Sequence, residues 1–197
     1  MSTADAFSPR LLILAVALTV GVLMFLRGSD DHATGAGVRP AQPVRLVVPA
    51  LDLDSRVAPI EVDTSGVLYP PDDVDVTGWW KRSAKPGAHR GQTVLTGHTV
   101  STGGGVMDRL DELRPGDRVR VRTPKGVVRY ETTRVRTYSR AELAHDARRL
   151  FGQKRSPRLV LITCTDWDGA QYRSNTVAFA ELSAPEPVPA GSHPDNS

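Results

Sequence analysis

The chain has 197 residues, 40% hydrophobic and 24% charged, with a formal net charge of +3. That balance excludes a wholly disordered chain and a polytopic membrane protein. Aromatics are only 6%, so a core must rest on Val, Leu and Ile, and the one cysteine, Cys164, excludes an internal disulfide and a multi-cysteine zinc site.

Leu11–Leu26 is an uninterrupted apolar run, LLILAVALTVGVLMFL, flanked by Arg10 and Arg27. As a helix it spans about 24 Å, a little under a bilayer core of about 30 Å, and the flanking arginines can snorkel to the two interfaces. A cleaved signal peptide needs a shorter apolar region and a small-residue site, for which Ala33, Gly35 and Ala36 make an untidy candidate. A buried core helix would need cover on every side, whereas the Gly/Ala/Pro-rich stretch that follows reads as a tether. The run is therefore expected to be an uncleaved transmembrane anchor. Arg10 before it and Asp30 and Asp31 after it put the amino terminus inside and the remainder outside. The expected layout is an anchor at 1–27, a flexible linker at 28–43, a folded domain at 44–182 and a disordered Pro-rich tail at 183–197.

Within the domain, Val44–Val48 and Asp52–Val62 are rich in β-branched residues and are broken by Pro49 and Pro59. Gly66–Tyr69 leads into Pro70-Pro71, and Gln92–His98 carries the next strand. Asp117–Thr123 alternates strictly, Val119 and Val121 against Arg118, Arg120 and Arg122, which predicts a half-solvated strand. Pro124-Lys125-Gly126 turns it back into a long strand over Val127–Tyr138. The best helix is Ala141–Phe151, with Ser139 as a fair N-cap. Arg158–Cys164 is nearly all apolar and suits a buried strand, and Gln171–Leu182 forms the last one. Short strands joined by Gly/Pro turns, with one helix, predict a mainly β, closed or nearly closed barrel.

Between Arg109 and Arg158 there are 15 Lys/Arg against six Asp/Glu. No aromatic platform is interleaved with this charge, so no nucleic-acid partner is expected. A solvated strand face, or attraction to anionic surface polymers or lipid headgroups, fits it better.

Phosphate-loop, HExxH and GxSxG signatures are absent, and no cofactor is implied. Asp72, Asp73 and Asp75, and Asp166 with Asp168, match no calcium-loop spacing and read as solvated turn residues, so no metal is assigned. Cys164 is the residue to explain. An isolated cysteine is usually a small buried hydrophobe, but this one is placed at the end of a strand, before the polar loop Thr165–Gly169, where reactive groups are displayed. A thiol nucleophile needs a proton acceptor or a cation. His32 and His193 fall in the linker and tail, His145 on the helix surface and His89 after a turn, which leaves His98 at the end of QTVLTGH. Arg173, returning antiparallel across the short loop, is the candidate donor to an oxyanion.

Four segments then carry a resemblance: Val94-Leu95-Thr96-Gly97-His98, Leu110–Asp117, Leu161-Ile162-Thr163-Cys164 and Tyr172–Val177. In this order and spacing they resemble the sortase family, most closely its class F-like actinobacterial members, over about Val44–Leu182. Val160 stands where the family motif often has Thr, at a packing position. The resemblance implies a sortase-like closed β-barrel with one or two short helices behind an N-terminal transmembrane helix. It implies a membrane-anchored, extracytoplasmic cysteine transpeptidase of a Gram-positive actinobacterium. Such an enzyme cleaves an LPXTG-like signal between Thr and Gly through a thioester on Cys164, and passes the acyl group to a peptidoglycan-precursor amine. His98 would move the protons, and Arg173 would bind the substrate backbone or the oxyanion. Thr163, Trp79 and Trp80 are the candidate substrate-binding residues. Strand alternation turns Thr163 away from Cys164 toward a structural part, and core packing suits the tryptophans equally. An L,D-transpeptidase would need Ser-x-Gly-Cys-x-Arg, and a papain-like peptidase places its cysteine before its histidine. The remaining alternative is an anchored, non-catalytic β-barrel binding module with an inert buried cysteine.

Overall fold

Alternation sets the strands, and their two faces set the layers. The computed structural model describes residues 37–183; the apolar run at 11–26, the linker up to residue 36 and the tail from 184 lie outside the described residues. Eight strands and one helix follow in chain order: β1 (Arg45–Val48), β2 (Leu53–Ile60), β3 (Thr77–Trp80), β4 (Gln92–Thr96), β5 (Arg118–Thr123), β6 (Gly126–Ser139), α1 (Arg140–Phe151), β7 (Arg158–Trp167) and β8 (Tyr172–Leu182). They close into a barrel in the order β1-β2-β3-β4-β7-β8-β6-β5, with β5 pairing back onto β1. The β2–β3 and β4–β7 pairs are parallel. Among the described residues no helix is long and apolar enough to cross a membrane.

In β5, Val119 and Val121 are fully buried while Arg118 and Arg122 stay exposed, as the alternation requires. The Thr123–Gly126 register closes the β5–β6 hairpin over Pro124 and Lys125. Leu46, Leu95, Val119, Val128, Leu159, Leu161 and Ala178 fill the barrel interior. β4, β7 and β8 are apolar on their other face as well. There Val94, Val160, Val177 and Phe179 pack with Tyr138 of β6 and Leu150 of α1 in a second core outside the barrel. Full burial of one such side chain contributes about 1.5–3 kcal/mol, so this outer core is what fixes α1. The start of α1 is held by a capping box: Glu142 N–H donates to Ser139 Oγ at 3.2 Å, and Ser139 N–H donates to Glu142 Oε2 at 2.8 Å.

Four expectations change. Gly66–Tyr69 forms no strand, only the isolated Val62–Leu68 bridge, whereas the unforeseen strand β3 holds Trp79 and Trp80. Pro59 lies inside β2, because the ladder to β1 ends at Arg56 and the missing N–H breaks no bond on that side. The packed domain begins before Val44: Val38 is 3% exposed within the core, and Ala41 N–H donates to Pro86 O at 3.3 Å. Gly87, at φ +85°, lets the segment come this close, since a Cβ there would meet Val38 O at 2.4 Å. Lastly, β7 runs on to Trp167, so Cys164 sits within a strand and not at its end.

Candidate active site

Period two along β7 turns Leu159, Leu161 and Thr163 into the barrel and Val160, Ile162 and Cys164 outward. Cys164 is exposed, unlike the buried cysteine of the non-catalytic reading. Its partner across β8 is Asn175, not Arg173. Asn175 Nδ2 lies 3.8 Å from Cys164 Sγ and 3.3 Å from Thr163 O. Arg173 stands two residues further along β8, on the same face.

On the other flank, the parallel β4–β7 register runs from Gln92–Arg158 to Thr96–Ile162. One further bond continues the pairing into Gly97, the residue before His98. Three bonds hold this extension: Gly97 N–H to Ile162 O at 3.4 Å, Thr163 Oγ1 to Gly97 O at 2.8 Å, and the Thr99–Thr163 hydroxyl pair at 2.7 Å. Gly97 is needed for close approach, because a Cβ would fall 2.6 Å from Val106 Cγ1 and 2.8 Å from Met107 Cγ. The Gly-rich loop then folds back on Asp108, which accepts from Val100 N–H at 2.7 Å and Gly105 N–H at 2.9 Å.

Among the described residues no hydrogen bond links Cys164 to His98 or Arg173. His98 Nε2 is 2.7 Å from Pro71 O. A carbonyl only accepts, so the Nε2–H tautomer is the one this contact selects, and in the neutral ring Nδ1 is left as the acceptor. Arg173 is paired with the Asp168 carboxylate. Asp168 is held below the usual carboxylate range first by the backbone N–H groups of Gln171 and Ala170, with Arg173 adding to them. Burial around the sulfur pushes the Cys164 thiol up, against opposing pulls from the Arg140 charge and the Asn175 hydrogen bond. The surroundings therefore disfavour the thiolate, and the thiol needs a base before it can attack.

Arg140, the first residue of α1, also donates from Nη1 to Gln171 Oε1 at 3.2 Å. Tyr172 packs on Trp167 with ring centroids 5.0 Å apart. Burial raises its phenol, and the nearby Asp108 and Cys164 charges raise it further. Trp167 is 45% exposed beside the site.

Thr163, 3% exposed, is occupied by Thr99 and Gly97 and ties the His98-bearing segment to β7. Trp79 is 2% exposed inside the barrel, so it offers a peptide no face, and Trp80 is half-buried against the outer core. Asp73 serves its own turn, accepting from Asp75 N–H at 3.0 Å, and pairs with Arg56 at 3.7 Å. Among the described residues no three His, Cys, Asp or Glu side chains gather as a metal site. The sequence reading missed Asn175, Arg140, Tyr172 and Pro71 as neighbours of the site. Alternation back from Arg173 points to Asn175, whereas Arg140 and Pro71 arrive through long-range pairing and leave no local signal.

An outward thiol on a closed barrel, with a carboxamide donor beside it and imidazole and guanidinium groups on the flanking segments, has the parts of a cysteine acyltransferase. The family model of the sortase domain matches residues 46–183, and the chain belongs to the sortase family of cysteine transpeptidases. Among solved structures, sortase C-1 from Actinomyces oris is similar with a TM-score of 0.56 at 18% identity, over 93% of this chain and 84% of that one. Sortase E1 from Streptomyces coelicolor, solved with a tripeptide in its active site, has a TM-score of 0.56 at 20% identity, over 73% and 89%. A lid mutant of sortase A from Corynebacterium diphtheriae has a TM-score of 0.56 at 16% identity, over 84% and 80%. At these identities the likeness is one of fold. The chain spans 66% of the length of the Streptococcus agalactiae sortase C1 that it matches. No curated relative matches the chain.

Proposed function

We propose that this chain is an extracytoplasmic transpeptidase, anchored by residues 11–26, that cleaves an LPXTG-like sorting signal between Thr and Gly. Its partners in this reading are LPXTG-type surface proteins and a peptidoglycan-precursor amine, and it stands nearest the class F-like actinobacterial sortases on the four segments quoted above. The observation that carries the reading is the exposed Cys164 on the outer face of a sortase-domain barrel, flanked by the segments that bear His98 and Arg173.

His98 takes the Cys164 proton and the thiolate attacks the Thr carbonyl carbon; the C–N bond then breaks and the Gly amine leaves with that proton from His98. The acceptor amine then attacks the thioester, gives its proton to His98, and releases Cys164 as thiolate. A thioester keeps enough acyl-transfer potential for a positioned amine to compete with water. Substrate would draw His98 from Pro71 O and Arg173 from Asp168, and Arg173 would then meet the peptide backbone or the oxyanion.

The test is turnover of a quenched-fluorescent LPXTG peptide, with and without an added amine. Wild type is expected to cleave it and to form the amine adduct. His98→Ala and Arg173→Ala should each fall by about 10²-fold or more. No turnover by wild type, or equal turnover by Cys164→Ala, overturns the reading. For the anchor, alkaline carbonate washing should leave the intact chain in the membrane fraction, and release of a shortened soluble form overturns that part alone.

A further inference from the structure

At the end of the outer face away from Cys164, β6, β7, β8 and the last turn of α1 line a cavity of about 340 Å³. Cys164 lies six residues along β7 from Arg158, about 20 Å at 3.3 Å per residue. Arg134, Arg149, Arg155 and Arg158 all line this cavity, against the single carboxylate Glu181. Arg149 is paired with Asp146. Arg158 donates to Gln92 Oε1 and, at 3.3 Å, to Leu150 O, which satisfies a carbonyl at the negative end of α1. Arg134 and Arg155 make no side-chain hydrogen bond or ion pair among the described residues. Phe179 supports the cluster from beneath, with the guanidinium carbons of Arg134 and Arg158 at 4.5 and 4.8 Å from its ring centroid. Burial, and then the Arg155 and Arg134 charges, push the Arg158 guanidinium below its ordinary range. Four like charges are thus crowded in a roomy polar hollow beside one carboxylate, Glu181.

The amino-terminal side of the domain arrives at this same end. Val38 packs on Gly87, Ala41 bonds Pro86, and the loop that holds them leads to Gly91, whose N–H donates to Arg155 O at 2.8 Å. Only residues 27–36 separate that end from the apolar run at 11–26.

We propose that the arginine-lined cavity binds the phosphate of an anionic glycerophospholipid headgroup and seats this end of the barrel on the membrane surface. The lipid as source rests on the anchored reading above; the phosphate chemistry does not. Planar guanidinium forks match phosphate oxygens two at a time, and the cavity holds the volume of about ten waters, enough for a glycerophosphate group. Seated in this way, the barrel presents Cys164 about 20 Å from the headgroups.

The test uses the full chain in neutral detergent, titrated calorimetrically with monomeric dihexanoyl phosphatidylglycerol, dihexanoyl phosphatidylcholine, or glycerol 3-phosphate. Phosphatidylglycerol should bind at least 10-fold more tightly than either of the others. Arg134→Gln/Arg155→Gln should abolish that preference while cleaving the LPXTG peptide at the wild-type rate. Arg120→Gln/Lys125→Gln, which removes equal charge elsewhere, should retain it. Equal affinity for glycerol 3-phosphate and the lipid overturns the membrane source. No phosphate-dependent binding, or equal loss in both double variants, overturns the site. Binding that persists when peptide turnover has failed leaves this proposal standing without the transpeptidase reading.

Discussion

The two faces of β7 are made by alternate residues of one strand and do unlike work. Leu159, Leu161 and Thr163 point into the barrel and are at most 3% exposed, while Val160, Ile162 and Cys164 point out under and beyond α1. The inner face is closed, and its polar side chain, Thr163, is bonded to Gly97 O and Thr99 Oγ1. The outer face opens progressively toward Cys164, where packing around the sulfur yields to solvent. A reactive thiol can thus be held rigidly without being sealed in, because its two chain neighbours are committed to the ladder and one of them, Thr163, to the barrel interior.

Cys164→Ala breaks the comparison hardest on one side only. Peptide turnover should fall by at least about 10³-fold, worth about 4 kcal/mol of barrier, while stability in denaturant should stay within about 0.5 kcal/mol because the side chain is exposed. Leu161→Ala makes the opposite cut. It should cost about 3 kcal/mol in urea melts through the cavity it leaves in the barrel, and any activity deficit should track the unfolded fraction.

Thr163→Val sharpens the boundary between the faces. It keeps the shape of the side chain but removes its bonds to Gly97 O and Thr99 Oγ1. A loss of about 1–2 kcal/mol in the same melts is expected, with a further fall in turnover if those bonds hold the His98 segment beside β7. The smallest effect is electrostatic. Thiol alkylation followed against pH should have its midpoint above that of a free cysteine, since burial disfavours the thiolate. Arg140→Gln removes a cation that favours the thiolate, so the midpoint should move up again. Asn175→Ala should move it the same way by less. A midpoint that falls in either variant contradicts the placement of these groups.

Much of the barrel was legible because period-two patterns are local. The alternation of Asp117–Thr123, the Pro124–Gly126 reversal and the Ser139 cap needed no information from distant residues. β3 was not legible: Thr77–Trp80 is four residues without alternation, and it is a strand only because β2 and β4 lie on either side of it. Val38 was hidden for a similar reason, since a Gly/Ala/Pro-rich composition marks a tether until one apolar residue finds a buried seat. The extra length of β7 came from the ladder with β8, which outlasts the apolar run and carries Cys164 into register with Asn175.

By itself the sequence determined that the domain is a strand-rich barrel, that Cys164 faces away from Leu161 and Thr163, and that His98 and Arg173 are the groups to weigh against it. Those conclusions follow from residue chemistry and from the geometry of a single strand. The tertiary structure alone decided who stands next to the thiol, Asn175 across β8 and Arg140 from the start of α1, and it set the His98 ring against Pro71 O. It also decided that four arginines spread along the chain share one hollow. Parallel pairing of β4 with β7 joins segments some sixty residues apart. Such a match is selected by the closure of the whole barrel, and no short stretch of chain carries it.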